Sequence, residues 1–489
     1  MLIVIENMMR VYNAKTETLN ALQDELEFKN PDYGLALARI DRGKYVAALP
    51  PKYLKFYTYD NDHLAIPIGF SRARIKEIAR QNNELISVKD RRSNGYKIDF
   101  KLPKRGRFRA FEDYQNRIID NACKKHNAVT VSPTGSGKTL SSLGIIEKLG
   151  VSTLIIVDKK DLFNQWVDGV RELTTGTYKL GFWGCGKKKW GDVTIATTQT
   201  LSRLNQKQAF EVRDKFGLII VDEVHKASAP TFVKCVSMFS AKFKHGMSAT
   251  PKRKDGKEFI FKLFIGNIDT EIKDREVEDV GRIVPVKYEI LKTGFEMNFI
   301  DIDHDIELYG PIALSDYDRT NFVVEAVQRD LDLGFVPLVV SNRVAHLKNV
   351  HKRLLKVGLK SGLVIGEVSD IKRAKVREDM KNGFLDVIVA NESIFSTGID
   401  IPVLSSAHVT HITKNEVFLK QVAGRVRRAF KGKEFGKVVI YNDYVYVQKR
   451  NPAKFEFTPV EADYFKDRIV KIKRLFRKWN FDEVGTTLQ

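Results

Sequence analysis

The sequence predicts an α/β protein of two tandem, doubly wound parallel-sheet lobes, preceded by a small β-rich (α+β) domain and followed by a C-terminal helix. Three observations predict it. The runs Ala128–Ser132, Thr153–Val157, Val193–Ala196 and Leu218–Val221 are almost continuously apolar, without polar alternation, as strands covered on both faces require. The same texture returns after Pro285, in Val336–Ser341, Ser361–Ile365, Val387–Ala390, His408–Ile412 and Lys437–Tyr441. Amphipathic helical stretches separate the runs in both series, so each block winds helices over a parallel sheet. At 489 residues and roughly 150 residues per domain, about three domains are expected. The boundaries are placed at 1–100, 101–280, 281–450 and a tail over 451–489.

The first hundred residues have a different texture. MLIVIENMMR reads as a first strand, being short, acid-interrupted and without a small-residue cleavage site. Gly34–Ile40, Lys44–Leu49, Leu54–Tyr59 and His63–Phe70 read as short strands between turn clusters such as Asp41-Arg42-Gly43 and Asp60-Asn61-Asp62. Ser71 is expected to cap a helix through about Gln81, and Asn94-Gly95 to turn a second hairpin. The basic stretch Lys101–Arg109 reads as a linker. At the other end, Ala462, Phe465, Ile469, Ile472, Phe476 and Trp479 recur at spacings of three and four, the apolar stripe of a docked helix. The lysines and arginines covering its other face suit a solvated surface as well as they suit a nucleic-acid contact.

Composition is that of an ordinary soluble globular chain, 43% hydrophobic and 29% charged. No apolar run reaches the roughly 20 residues needed to cross a bilayer. Three scattered cysteines, Cys123, Cys185 and Cys235, exclude a full disulfide framework and a CxxC zinc site, and fit a reducing cytoplasm. The net charge of +21 favours a polyanionic partner, either nucleic acid or an acidic membrane face.

The chemistry concentrates at two strand ends. Ser132-Pro133-Thr134-Gly135-Ser136-Gly137-Lys138-Thr139 lies between an apolar strand and the helix Leu140–Leu149. A glycine-rich turn at a helix N-terminus gathers backbone N–H groups and the positive helix end into a phosphate cradle formed by Thr134 to Thr139. Lys138 is placed to reach the β/γ-phosphates of ATP and the Thr139 hydroxyl to bind Mg²⁺. Ser132 stands where the strict P-loop pattern has glycine. The second strand, Leu218–Val221, ends in Asp222-Glu223-Val224-His225. Asp222 is then a second Mg²⁺ ligand, and Glu223 the group that orients and deprotonates the attacking water.

The order PTGSGKT, DEVH, Ser248-Ala249-Thr250 and Gln421-Val422-Ala423-Gly424-Arg425-Val426-Arg427-Arg428 resembles that of superfamily 2 helicases, over residues 108–430. The resemblance implies two RecA-like lobes and assigns further roles. Gln115 would recognise adenine. Ser248 and Thr250 would couple nucleotide state to movement, with His225 as relay. Arg425 and Arg428 match the arginine fingers, with Gln421 beside them. A planar, permanently charged donor suits the charge spread over the γ-phosphoryl oxygens. Phe395-Ser396-Thr397-Gly398-Ile399-Asp400 resembles the family's fifth motif, with Thr397 on the nucleic-acid backbone and Gly398 and Asp400 toward the nucleotide. Thr197 matches a backbone-contacting threonine. Asp158 replaces the proline that usually opens the family's Ia segment, although Lys159 or Lys160 could still reach a phosphate. Gly181–Gly191 (GFWGCGKKKWG) reads first as a basic hairpin turn and second as a base-stacking or phosphate-gripping loop.

The layout of small β-rich domain, two-lobed core and short tail is similar to that of phage UvsW-type branch-migration helicases. In that family the extra domain grips duplex DNA, and the motor remodels forks and Holliday junctions. In this chain Arg39, Arg42, Lys44, Lys52, Tyr53, Lys55, Phe56, Tyr57 and Tyr59 form a basic-aromatic mixture suited to such contact, or else the aromatics form the domain's own core. The expected function is an ATP-dependent DNA helicase acting on branched DNA. An RNA helicase, a duplex translocase that leaves strands paired, and a nucleotide-switched annealing protein remain alternatives.

Overall fold

The computed structural model describes all residues except 42, 44, 61, 104–109, 225–228, 251–255, 300–301, 393–400, 451–456, 461–464 and 485–489. The chain divides into two compact units, one made of Met1–Pro133 and Gly137–Glu276, the other of Thr134–Ser136 and Val277–Gln489.

The first unit opens with β1 (Leu2–Ile5), β2 (Met9–Tyr12), α1 (Thr16–Asp24), β3 (Glu27–Lys29), α2 (Pro31–Ile40), β4 (Tyr53–Lys55), β5 (Thr58–Asp60), β6 (His63–Ile66), α3 (Arg72–Gln81) and β7 (Ser87–Asp90). Five of the strands form a mixed sheet in the order β5-β6-β2-β1-β7. The expected first strand and the Ser71 cap are present, the Ser71 hydroxyl accepting from the Arg74 amide at 3.3 Å. Four expectations fail. The segment 34–40 is helical, because Asn30 caps the turn by accepting from the Asp32 amide and Pro31 fills the first helical position. Residues 45–49 form no strand, and 54–59 splits between β4, which pairs with β3, and β5, which pairs with β6. Asn94-Gly95 turns no hairpin, since β7 runs parallel to β1. Instead Gly95, at φ +62°, lies so close to the Gly217 backbone that a Cβ would sit 2.4 Å from its nitrogen.

The same unit continues through α4 (Asp113–Lys124), β8 (Asn127–Val131), α5 (Lys138–Leu149), β9 (Thr153–Val157), α6 (Lys160–Leu173), β10 (Leu180–Gly184), β11 (Lys187–Lys189), β12 (Val193–Thr197), α7 (Thr198–Leu201), α8 (Gln206–Val212), β13 (Leu218–Asp222), α9 (Ala229–Ser237), β14 (Phe243–Ser248), α10 (Phe259–Phe264) and β15 (Ile268–Glu271). The sheet order is β11-β10-β12-β9-β13-β14-β8-β15, parallel throughout except for β11. One apolar core joins the opening residues to this sheet, running from Ile5, Leu26 and Ile66 to Leu154, Ile219 and Phe261. Phe28 stacks on Phe259 at 4.4 Å, and Phe56 packs edge-on against Phe259 and Phe264. Such pairs add about 0.5–1.5 kcal/mol each beyond the area they bury. Phe56 is therefore packed, partly buried, against the domain's own core.

The second unit contains β16 (Val286–Phe299), α11 (Ile302–Ser315), α12 (Tyr317–Asp332), β17 (Pro337–Ser341), α13 (Val344–Lys356), β18 (Ser361–Val364), α14 (Asp370–Lys381), β19 (Val387–Asn391), β20 (Ser406–Val409), α15 (Glu416–Val426), β21 (Gly436–Arg450), β22 (Phe457–Val460), α16 (Lys466–Lys478) and β23 (Asp482–Glu483). Its sheet runs β18-β19-β17-β20-β21-β16-β23, all parallel, with β22 antiparallel on β21. Leu338 and Val340 face one core and Val339 the other, as doubly covered strands demand. The expected strand 408–412 begins two residues earlier and ends at Val409. Helix α16 docks through Ile472 and Phe476, with Ile469 and Trp479 at the margin. Among the described residues no helix is long and apolar enough to cross a membrane.

Candidate functional site

The parallel strands of the first sheet end in step. Thr197 pairs with Val157, Val221 with Ile156, Asp222 with Met247 and Ser248 with Val131. The residues that follow each strand therefore share its carboxyl edge, where open α/β sheets place ligands.

After β8 the chain turns through Gly135, at φ +92°, and Gly137, at φ +80°, into α5. Gly137 is the N-cap and offers no side-chain acceptor, so the first-turn amides and the helix's positive end face the loop. Lys138 Nζ lies 3.3 Å from the carbonyl oxygens of both Ser132 and Pro133, holding the ammonium over that loop. Ser132 is fully buried, and its amide donates to the Ser248 carbonyl at 2.9 Å. The position that departs from the strict pattern thus ties the loop to the Ser248-Ala249-Thr250 segment. Gln115 is 1% exposed in α4, its Oε1 accepting from the Glu112 amide at 3.1 Å. A Cβ on Gly137 would meet Gln115 Nε2 at 2.6 Å. The structure therefore brings Gln115 directly against the loop.

Asp222 ends β13. Trp166 Nε1 donates to its Oδ2 at 2.8 Å, and the Glu223 amide donates to Oδ1 at 2.9 Å. Burial pushes the Asp222 carboxyl above the usual carboxylate range, and Glu223 beside it adds to the rise, while Trp166 and Lys138 oppose it. Glu223 itself sits at φ +48°, the left-handed region that non-glycine residues avoid. The Asp222 carboxylate and the Thr139 hydroxyl are hard oxygen donors of the kind Mg²⁺ takes, and the carboxylate is pre-oriented by two N–H groups. Trp166 carries no motif signal. Its hint is an indole in the apolar stripe Phe163, Trp166, Val167, Val170 of α6, since a buried indole N–H needs an acceptor.

Ser248 Oγ donates to the Thr250 carbonyl at 2.8 Å and accepts from the Thr250 amide at 3.1 Å, a closed turn directly behind the loop. His225 lies outside the described residues. Farther along the edge, Lys159 caps α6 and Lys160 begins it, and both are exposed. Thr197 is 7% exposed, and its hydroxyl accepts from the Thr200 amide as the cap of α7. GFWGCGKKKWG forms the expected hairpin, β10–β11, with Trp183 stacked on Trp190 at 4.2 Å rather than open to a base.

In the second unit, α15 buries Phe418, Leu419, Val422, Ala423 and Val426, which leaves Gln421 and Arg425, four residues apart, on its half-exposed face. Arg428 follows the helix end, and burial pushes its guanidinium down to about 10. Arg427 behaves otherwise: it is 4% exposed and pairs with Glu278 at 2.5 Å, while its carbonyl accepts from the Val284 amide. Three similar arginines thus divide: Arg427 is held in a structural pair, Arg425 is half-exposed, and Arg428 is desolvated enough to lower its guanidinium, a division that spacing alone does not resolve. Thr397, Gly398 and Asp400 lie outside the described residues.

Residues 109–253 match the family described as type III restriction enzyme, res subunit, and residues 326–430 the helicase conserved C-terminal domain. The chain is a superfamily 2 helicase. Membership brings nucleic-acid-dependent ATPase activity. Among relatives, the chain is similar to Probable helicase D10 of Escherichia phage T5, 29% identical over 69% of this chain and 71% of that protein. It is also similar to the DNA 3'-5' helicase XPB of Mycobacterium tuberculosis, 29% identical over 53% of this chain. The match spans 48% of XPB, about half its length. The fold is shared with S. cerevisiae Dbp5 bound to RNA and ADP BeF3, at a TM-score of 0.54, 15% identity and coverage of 77% of this chain and 90% of that one.

Proposed function

We propose that this helicase is an ATP-dependent DNA motor that remodels branched DNA, by fork regression and Holliday-junction branch migration. The observation that carries the reading is the order of residues along one sheet edge: the phosphate loop, Asp222-Glu223, Lys159-Lys160 and then Thr197. A nucleotide site and a row suited to a phosphate backbone share one rigid edge, as coupling hydrolysis to movement requires. The names of D10 and XPB support helicase activity, and that of XPB supports DNA as the track. The +21 charge supports a polyanion.

In this reading the amides of Thr134 to Thr139 and Lys138 hold the phosphates, and Gln115 reads adenine. Asp222 and Thr139 would hold Mg²⁺, which supplies charge neutralisation at the β- and γ-phosphoryl oxygens. Glu223 takes the proton of the attacking water, and Arg425 and Arg428, with Gln421 beside them, stabilise the charge that develops on the phosphoryl oxygens. Ser248 and Thr250, bonded to the loop through Ser132, carry the nucleotide state onward. Lys159, Lys160 and Thr197 hold the DNA backbone.

The test is ATPase stimulation and strand exchange on forks, four-way junctions, plain duplex, single strands and RNA in parallel. Preference for forks and junctions is the expected result. Stimulation by RNA alone would reject the DNA assignment, equal use of plain duplex would reject the branched specificity, and a Lys138→Ala protein with full DNA-stimulated ATPase would reject the motor.

A further inference from the structure

The β10–β11 hairpin is not accounted for by nucleotide chemistry. It occupies the outer edge of the first sheet, and its turn, Cys185 at φ +52° and Gly186 at φ +82°, is the tight left-handed type that matches strand twist. Lys187, Lys188 and Lys189 follow in a row, all exposed, and none makes an ion pair with a described residue. We propose that this lysine hairpin is a phosphate-binding ridge, which extends the nucleic-acid track outward from Thr197 along the carboxyl edge of the first sheet.

Register and packing support it. Phe182 pairs with Lys189, Trp183 with Lys188 and Gly184 with Lys187, so opposed residues share a face. Trp183 and Trp190 stack on one face, and Trp190 packs on Phe216, fastening the hairpin to the core. Phe182 lies on the other face. Lys187 Nζ is 5.1 Å from its ring centroid and the Arg171 guanidinium 5.7 Å, which gathers three cations with Lys189 on one side. Gly184 lies at the level of Thr197, and a Cβ there would touch the Thr197 side chain at 2.9 Å. The turn therefore emerges at the edge that also carries Lys159 and Lys160. Five strand spacings separate β10 from β8, roughly 24 Å at about 4.8 Å each, so the ridge lies well away from the phosphate loop.

Lysines also guard exposed sheet edges against pairing with other chains. That role needs charge but not placement beside Thr197, and the two roles separate experimentally. The inference rests on the proposed nucleic-acid motor. The test measures DNA affinity against salt for the wild type and for Lys187→Gln/Lys188→Gln/Lys189→Gln, with thermal midpoint as the folding control. Removing one lysine–phosphate pair lowers the slope of log affinity against log salt by about 0.9 for duplex, so losing Lys187 and Lys189, which share a face, should lower it by about 2, with affinity down roughly tenfold. A photocrosslinker on the exposed Cys185 should also attach to bound DNA, Cys123 being half-buried and Cys235 buried. An unchanged slope with no crosslink overturns the ridge, as does unchanged binding accompanied by new aggregation, which would assign the lysines to edge protection. A wild type that neither binds nor responds to any nucleic acid would overturn the motor reading itself, and the ridge with it.

Discussion

Glu223 is predicted to weaken the fold that it serves. At φ +48° it holds the left-handed conformation, which is roughly 1–2 kcal/mol unfavourable for a residue with a Cβ. It also stands beside Asp222, whose carboxyl it helps to push upward, so two like charges share a half-buried corner. Glu223→Gly removes both penalties, but glycine gains roughly 0.5–1 kcal/mol of unfolded-state freedom. The net expectation is a gain of about 1 kcal/mol, or about 2–4 °C in midpoint for a unit of this size. Glu223→Gln removes only the charge and should raise the midpoint less.

Both variants should lose DNA-stimulated ATP hydrolysis by roughly 10²–10⁴-fold, the usual contribution of a positioned base. Thermal melting and steady-state ATPase on the same preparations give the two readouts. A glycine variant that melts below wild type would refute the account of the backbone. A glutamine variant hydrolysing ATP within a few-fold of wild type would refute the role of the carboxylate.

Further expectations follow from other positions. Gly137→Ala should raise the KM for ATP at least roughly tenfold, through both its positive φ and the contact with Gln115; Gln115→Ala in the same protein should not restore full affinity, because the backbone conformation remains. Lys244 is buried with its Nζ on the Val236 carbonyl, and burial pushes its ammonium down to about 7. Since the unfolded chain then binds more protons, stability of the first unit should rise as pH goes from about 7 toward 10, and Lys244→Met should flatten that rise in pH-dependent melts. Asp330 is held below the usual carboxylate range: burial alone would raise it, but His408 and Lys437 more than offset that. Its contribution is present above the unfolded carboxylate pKa and is lost only in strong acid, so Asp330→Asn should destabilise the second unit at neutral pH by about 3 kcal/mol, read by denaturant melting, because Lys437 and His408 stay buried.

The strands of both lobes were legible because a strand covered on two faces has nearly every position apolar, and β9 (Thr153–Val157) matched its expected bounds. The first hundred residues were harder to read for the same physical reason. Short segments with one wet face alternate weakly, and 34–40 looked extended until the Asn30-Pro31 start is given its weight. Glycine misled as well: Asn94-Gly95 is a close approach to Gly217 rather than a turn, and a close approach depends on a partner more than 100 residues away. In the candidate site, the glycine turn at the start of α5 and the carboxylates at the end of β13 were legible in their placement because each is set by local sequence. Trp166 on Asp222 and Glu278 on Arg427 were not, since each joins residues 56 and 149 positions apart through side chains of no unusual type.

The opening residues bear on how force is transmitted. Arg92, its side chain without solvent exposure, donates to both Asp90 oxygens, to Asn127 Oδ1 and to the Lys242 carbonyl, and meets His126 Nδ1 at 3.1 Å. Asn127 starts β8, the strand that leads into the phosphate loop. Arg213 reaches back to Glu6 at 2.5 Å, Lys257 pairs with Asp32 at 2.5 Å, and the Gly69 amide donates to the Leu263 carbonyl at 2.7 Å. These ion pairs are partly buried, and single pairs contribute modestly. Here they rim a shared apolar core and a fully desolvated arginine, whose truncation would strip Asp90 of its guanidinium partner and the Lys242 carbonyl of the Arg92 donor. A hinge between residues 1–100 and the first sheet would have to open that core. Any grip on DNA by the opening residues therefore moves as one piece with the eight-stranded sheet of the first unit.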